Sequence, residues 1–111
     1  MYEKQHEIIC EDAKICCYES GSGVTVVLLH GNGEDSSYWS KQVPTLVKAG
    51  FRVLAMDSRR HGRSEAGTRG LSFDLFADDL RSVFRVLGII SAHIVGFSDG
   101  GNLAIWQFAL P

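Results

Sequence analysis

Apolar positions in this chain fall into two regimes. Short β-branched runs alternate with stretches whose apolar residues recur at helical spacing. "VTVVLLH", Val24 to His30, shows no alternation and reads as a strand buried on both faces. "FRVLAMD", Phe51 to Asp57, and "AHIVGF", Ala92 to Phe97, read as a second and a third buried strand. Ahead of them "HEIIC" and "KICCYES" flank Glu11-Asp12-Ala13, the pattern of an antiparallel hairpin. Gly21-Ser22-Gly23 marks a turn.

The best-defined helix starts after Ser72, a plausible N-cap. Its Phe76, Leu80, Val83 and Leu87 share one face, and Gly88 closes it. Pro44 does not fit a helix interior, so a turn is expected around Trp39, then a helix beginning near Pro44 and capped by Gly50. A third helix is expected from Asn102 to Leu110, stopped by Pro111. The order predicts an α/β fold: an opening β-hairpin, then βαβαβα with a mostly parallel sheet. No internal repeat, low-complexity segment or linker breaks residues 1–111 into more than one domain.

Composition narrows the partners. A formal net charge of -2 gives no reason to expect nucleic acid or an anionic membrane surface. No window approaches the ~20 apolar residues of a membrane span. Met1 to Cys10 carries Glu3, Lys4, His6 and Glu7, which interrupt any signal-peptide hydrophobic region, so the cytoplasm is the expected compartment. Cys10, Cys16 and Cys17 lack the paired C-x-x-C or histidine spacing of a metal site. A bridge from Cys10 to Cys16 or Cys17 is conceivable, but in a reducing compartment they are expected as small half-buried strand residues. Neither a metal nor a cofactor is expected.

In a parallel sheet, ligands sit beyond the carboxyl ends of the strands. Three loops leave those ends, and they are the chain's most unusual stretches. The last reads Gly96-Phe97-Ser98-Asp99-Gly100, a G-x-S-x-G between a strand and a helix start. Glycines on either side of a tight turn remove side chains that would clash there, and the serine is raised at a helix N-terminus that favours negative charge. Ser98 is therefore the candidate nucleophile. The first loop, "HGNGEDSSYW", has Gly31 and Gly33 to turn its backbone. The N–H of Asn32, joined by that of Asp99, is the expected oxyanion donor, with His30 a structural histidine. The bland alternative is a glycine-rich turn that caps the next helix through Ser36 or Ser37. In the middle loop, "DSRRHGRS", His61, Gly62 and Ser64 read as a rigid turn, with Asp57 and the arginines in local polar pairing. His61 is not expected to be catalytic, because another strand should separate its strand from the nucleophile's. His93, at the far end of its strand, and His6, in the hairpin, are not convincing bases.

The blocks "VVLLHGNG", "VLAMDSRRHGRS", "FADDLRSVFRVLGI" and "HIVGFSDGGNLA", in this order, resemble the α/β-hydrolase superfamily over nearly the whole chain. The resemblance implies Ser98 as nucleophile, Asn32 and Asp99 as backbone oxyanion donors, and a central pairing of the third sheet strand with the nucleophile's strand. Relatives usually have glycine where Arg60 stands, so that turn is expected to differ in shape. A serine at the elbow disfavours the dehalogenase and epoxide-hydrolase branches, whose covalent chemistry uses a carboxylate. The family's triad continues with an acid and then a histidine. After Ser98 this chain has Asp99, too close to orient a distant imidazole, and no histidine.

The expectation is thus the N-terminal half of a serine hydrolase acting on an ester, amide or thioester. It would lack the later strands, the lid and the triad's acid and base. A small acyl substrate, and either the missing half or a self-association partner over the exposed sheet edge, are its expected partners. Two readings compete. One is a non-catalytic scaffold or pseudoenzyme on the same fold. The other is a dinucleotide-binding domain, from Gly31-x-Gly33-x-x-Ser36 with Asp57 ending the next strand. Against the latter, the third glycine is a serine, and the loop is too long to start a helix at once.

Overall fold

The computed structural model of the chain describes residues 2–68, 70, 72–98, 100 and 101. Strands β1 (Lys4–Cys10) and β2 (Ala13–Ser20) form the expected hairpin, turning at Glu11, which adopts a left-handed φ of 50°. β3 (Val24–Leu29) leads through a 3₁₀ turn (Ser36–Trp39) into α1 (Gln42–Lys48). β4 (Phe51–Met56), α2 (Phe73–Leu87) and β5 (His93–Gly96) follow. The strands form one sheet in the order β1-β2-β4-β3-β5. β4, β3 and β5 run parallel, and β2 is antiparallel to both β1 and β4. β3 therefore sits beside β5, the strand that leads to Ser98, as the resemblance implied.

The unalternating apolar run of β3 serves two layers at once. Val27 and Leu29, with Leu54 and Met56 of β4, pack against Ala77, Leu80 and Val83 of α2. Val26 and Leu28, with Val53 and Ala55, pack against Trp39 and Val43 on the opposite face. Full burial of side chains of this size contributes roughly 1.5–3 kcal/mol each. That explains why a strand flanked by helices on both sides carries no polar face.

α2 follows its sequence signals closely. The Ser72 hydroxyl accepts from the Leu75 N–H at 3.1 Å, and Gly88 takes a left-handed φ of 69°. There the Ile89 N–H reaches back to the Phe84 carbonyl at 2.8 Å, closing the helix end. α1 differs by beginning at Gln42, which puts Pro44 in the first turn, where a missing N–H leaves no intrahelical bond unmade. The preceding 3₁₀ turn is capped by Asp35, whose side chain accepts from the Ser37 N–H, and not by Ser36 or Ser37.

β5 is the edge of the sheet among the described residues, the exposed edge expected where the later strands are missing, with His93 and Val95 exposed and Ile94 half-buried. The expected helix from Asn102 to Leu110 lies outside the described residues; Gly100 and Gly101, just before it, are helical. Cys10, Cys16 and Cys17 are free thiols and wholly buried, more so than expected. Burial pushes the Cys17 thiol up to about 12. No helix among the described residues is long and apolar enough to cross a membrane.

One buried charge ties the layers together. Arg59 is 0% exposed, and its guanidinium meets Asp79 of α2 through two contacts of 3.0 and 2.9 Å and Asp12 of the hairpin turn at 2.8 Å. The expected local pairing of Asp57 with the arginines is thus replaced. Asp57 accepts backbone N–H groups from Ser36 at 2.7 Å and Arg63 at 3.1 Å, while Arg59 reaches across the fold. Next to it, Arg60 keeps φ at 69°, so the turn holds a conformation suited to glycine although an arginine occupies it.

Candidate active site

Because β3, β4 and β5 are parallel and adjacent, their following loops converge at one end of the sheet. The elbow is built on β5. The Phe97 N–H donates to the Leu29 carbonyl at 3.0 Å, extending the pairing with β3, and the Gly100 N–H donates to the Phe97 carbonyl at 3.0 Å. Between them Ser98 is held at φ 56°, a left-handed conformation unusual for a serine, and it is exposed. The flanking glycines are there for space. A Cβ on Gly96 would stand 2.4 Å from the Gly100 carbonyl, and one on Gly100 would stand 2.0 Å from the carbonyl oxygen of Leu29. The turn can be this sharp only with both side chains absent.

The loop after β3 closes on the same point. A Cβ on Gly31 would lie 3.2 Å from the Ser98 Cβ and 2.8 Å from a carboxylate oxygen of Glu34, so the backbone there runs directly beside the serine. The Gly31 N–H donates to Glu34 at 2.9 Å, and the Gly33 N–H donates to His61 Nε2 at 3.1 Å. Among the described residues, no group accepts from the Asn32 N–H that lies between them. Gly33 itself takes φ 81°. Asp99, the other expected donor, lies outside the described residues.

Neither nearby histidine is free to serve as a base. His30 is 3% exposed; its Nδ1–H donates to the Gly31 carbonyl at 2.7 Å and its Nε2 accepts from the Ser58 N–H at 3.0 Å. Burial holds this imidazole below its ordinary range, and hence neutral. His61 is arranged alike, with Nδ1–H donated to the Arg59 carbonyl at 2.9 Å and Nε2 accepting from Gly33. The two rings lie 5.0 Å apart. His6 is engaged with Glu19 at 2.8 Å in the hairpin, and His93 begins β5 at the end away from Ser98.

An aromatic surface borders the elbow. Tyr38 stacks on Phe97 with ring centroids 5.1 Å apart and meets Trp39 edge-on at 5.0 Å; Tyr38 and Phe97 both expose part of their rings. Asp57, which a dinucleotide site would need facing a ribose, is 1% exposed, with its carboxylate given to Ser36 and Arg63. α1 starts at Gln42, well beyond the loop glycines, so no helix N-terminus follows them as a pyrophosphate site requires. Among the described residues, no cluster of side chains is suited to a metal ion.

The chain is similar in sequence and fold to known proteins. Residues 24–110 match the family model described as alpha/beta hydrolase fold. The chain is 38% identical over 82 residues to a non-heme chloroperoxidase of Kitasatospora aureofaciens, covering 74% of this chain and 30% of that protein. It is 37% identical over 94 residues to bifunctional epoxide hydrolase 2 of Sus scrofa, covering 83% of this chain and 17% of that one. Its fold superposes on an esterase from Exiguobacterium antarcticum with a TM-score of 0.91 at 30% identity, over 96% of this chain and 40% of the esterase. The chain thus spans well under half the length of each of these relatives. With that family model matching residues 24–110, most of the sequence, the chain belongs to the α/β-hydrolase fold family.

Proposed function

We propose that this chain carries the nucleophile and oxyanion-binding half of a serine hydrolase acting on an ester, amide or thioester. The observation that carries the reading is Ser98, held at φ 56° against Gly31, with the neighbouring Asn32 N–H donating to no group among the described residues. In this reading the Ser98 hydroxyl attacks the acyl carbon and its proton passes to a base. The carbonyl oxygen, now an oxyanion, is stabilised by the Asn32 and Asp99 N–H groups and the helix start. Collapse expels the alcohol, amine or thiol. Water then attacks the acyl-Ser98 ester and frees the acid.

The base and its orienting acid come from outside the described residues, since His6, His30 and His61 are each committed elsewhere. Later strands, or a second copy of the chain, would also cover the exposed Val95 at the β5 edge. The cytoplasm is the proposed compartment. The scaffold reading rests on the same missing base, and predicts no hydrolysis even when the rest of the fold is supplied.

A fluorophosphonate probe decides between them. The isolated chain should label slowly at Ser98, because losing triad members costs about 10⁴–10⁶ in rate. Labelling should rise steeply, and vanish in Ser98→Ala, once the remaining half of the domain is present. No rise on completion would refute the hydrolase reading. Rapid labelling of the isolated chain would refute the placement of the base.

A further inference from the structure

His61 and His30 form a reciprocal pair between the two loops. His30, from the loop after β3, accepts the Ser58 N–H from the loop after β4. His61, from the loop after β4, accepts the Gly33 N–H from the loop after β3. Each ring fixes its own tautomer by donating Nδ1–H to a carbonyl near it in sequence, Gly31 for His30 and Arg59 for His61. The pairing fastens the loop that carries Asn32 to the rigid turn that follows β4. That turn is itself closed by the His61 N–H on the Ser58 carbonyl at 2.8 Å and the Ser64 N–H on the His61 carbonyl at 3.0 Å.

We infer that His61 is a positioning residue, one that sets the oxyanion-binding loop by holding the Gly33 N–H through its Nε2 lone pair. The inference rests on the hydrolase reading of Ser98 for its catalytic consequence, but its geometric part does not. Asn32 lies between two tethered neighbours, with the Gly31 N–H held by Glu34 and the Gly33 N–H held by His61. Gly33 has nothing within 4 Å of where its Cβ would be and a positive φ, so packing does not fix it; the Glu34 N–H on the Gly31 carbonyl at 3.2 Å closes the turn, and the His61 contact ties that turn to the rest of the fold. The Asn32 side-chain oxygen also lies 3.3 Å from this Nε2, but the single lone pair there is taken by the Gly33 N–H, so the Gly33 contact is the tie between the loops. A donor aimed at an oxyanion is effective only when its direction is fixed beforehand. His61 supplies that fixing without touching substrate.

Two substitutions separate the nitrogens. In His61→Gln the longer amide carries an acceptor to the position of Nε2. In His61→Asn the shorter amide reaches only the position of Nδ1, keeping the Arg59 contact and losing Gly33. Amide hydrogen exchange at Gly33, measured on this chain, should quicken about tenfold or more in His61→Asn and stay within about threefold of the parent in His61→Gln. With the rest of the domain present, His61→Asn should lower kcat for an acyl ester about 10–100-fold with KM nearly unchanged, and His61→Gln should restore most of it. Unchanged Gly33 exchange in His61→Asn, in a variant whose melting midpoint matches the parent, overturns the inference. So does a kcat equal to the parent's. If no variant, the parent included, hydrolyses any ester, the hydrolase reading has failed, and Gly33 exchange still decides the role of His61.

Discussion

Gly100→Ala is the sharpest perturbation the elbow permits. The added Cβ would stand 2.0 Å from the Leu29 carbonyl oxygen, 2.6 Å from its carbon and 2.7 Å from the His30 carbonyl oxygen. Carbon–oxygen contacts settle near 3.3 Å, so relief requires about 1.3 Å of movement. The obstacles are backbone atoms at the end of β3, which is paired with strands on both sides. The helix start must therefore retreat, stretching the Gly100 N–H bond to Phe97 and carrying Ser98 with it. Overpacking against rigid backbone costs about 3 kcal/mol. With a urea slope of about 2 kcal/mol/M, the midpoint falls by about 1.5 M. Gly101→Ala is the control: its Cβ would meet Gly96 at 3.4 Å, an ordinary contact, and alanine gains up to about 1 kcal/mol in helix propensity. Urea titrations followed by far-UV circular dichroism compare the two. A Gly100→Ala variant within about 0.5 kcal/mol of the parent, or less harmed than Gly101→Ala, would refute the packing argument.

Two further outcomes follow from the charges and the turns. Arg60→Gly should stabilise the protein by about 0.5–1 kcal/mol, because an exposed arginine at φ 69° bears a left-handed strain that glycine lacks; a thermal melt reads the shift. Glu19 is nearly buried between Arg52 at 2.9 Å and His6 at 2.8 Å, and the Arg52 hydrogen bond holds its carboxyl below the usual carboxylate range. A folded value below the unfolded one means its stabilisation is complete above the unfolded value of about 4.3 and is lost as pH falls through the folded value. Glu19→Gln should thus be less stable than the parent at neutral pH, and melting midpoints should show the gap closing in acid.

The elements most legible in the sequence were those whose signals are local. Ser72 and Gly88 bracket α2 because a cap needs only its own turn, and the elbow glycines announce themselves by spacing. β5 is less local: "AHIVGF" is apolar enough for a buried strand, but its exposure depends on which strands stand beside it, and β3 is its neighbour on one side only among the described residues. Arg59 could not be paired from sequence either, since Asp12 and Asp79 lie 47 and 20 residues away. His61 is the instructive case. One strand does separate β4 from β5, as expected. That intervening strand is β3, and the same order puts His61 against the loop that β3 releases. The contact His61 makes with the loop after β3 is legible only from the Gly33 hydrogen bond.

Arg59 has a consequence for how the molecule behaves when heated. Loops at active sites commonly open well below the free energy of global unfolding, so many enzymes lose activity before they melt. Here the Arg59 side chain is locked to α2 and the hairpin, while its carbonyl holds the ring of His61. Withdrawing the turn would pull the Arg59 guanidinium out of its buried contacts with Asp79 and Asp12, and breaking such a buried pair costs about 3–5 kcal/mol. The turn after β4 has little freedom to peel away while α2 remains docked. Heat takes both together.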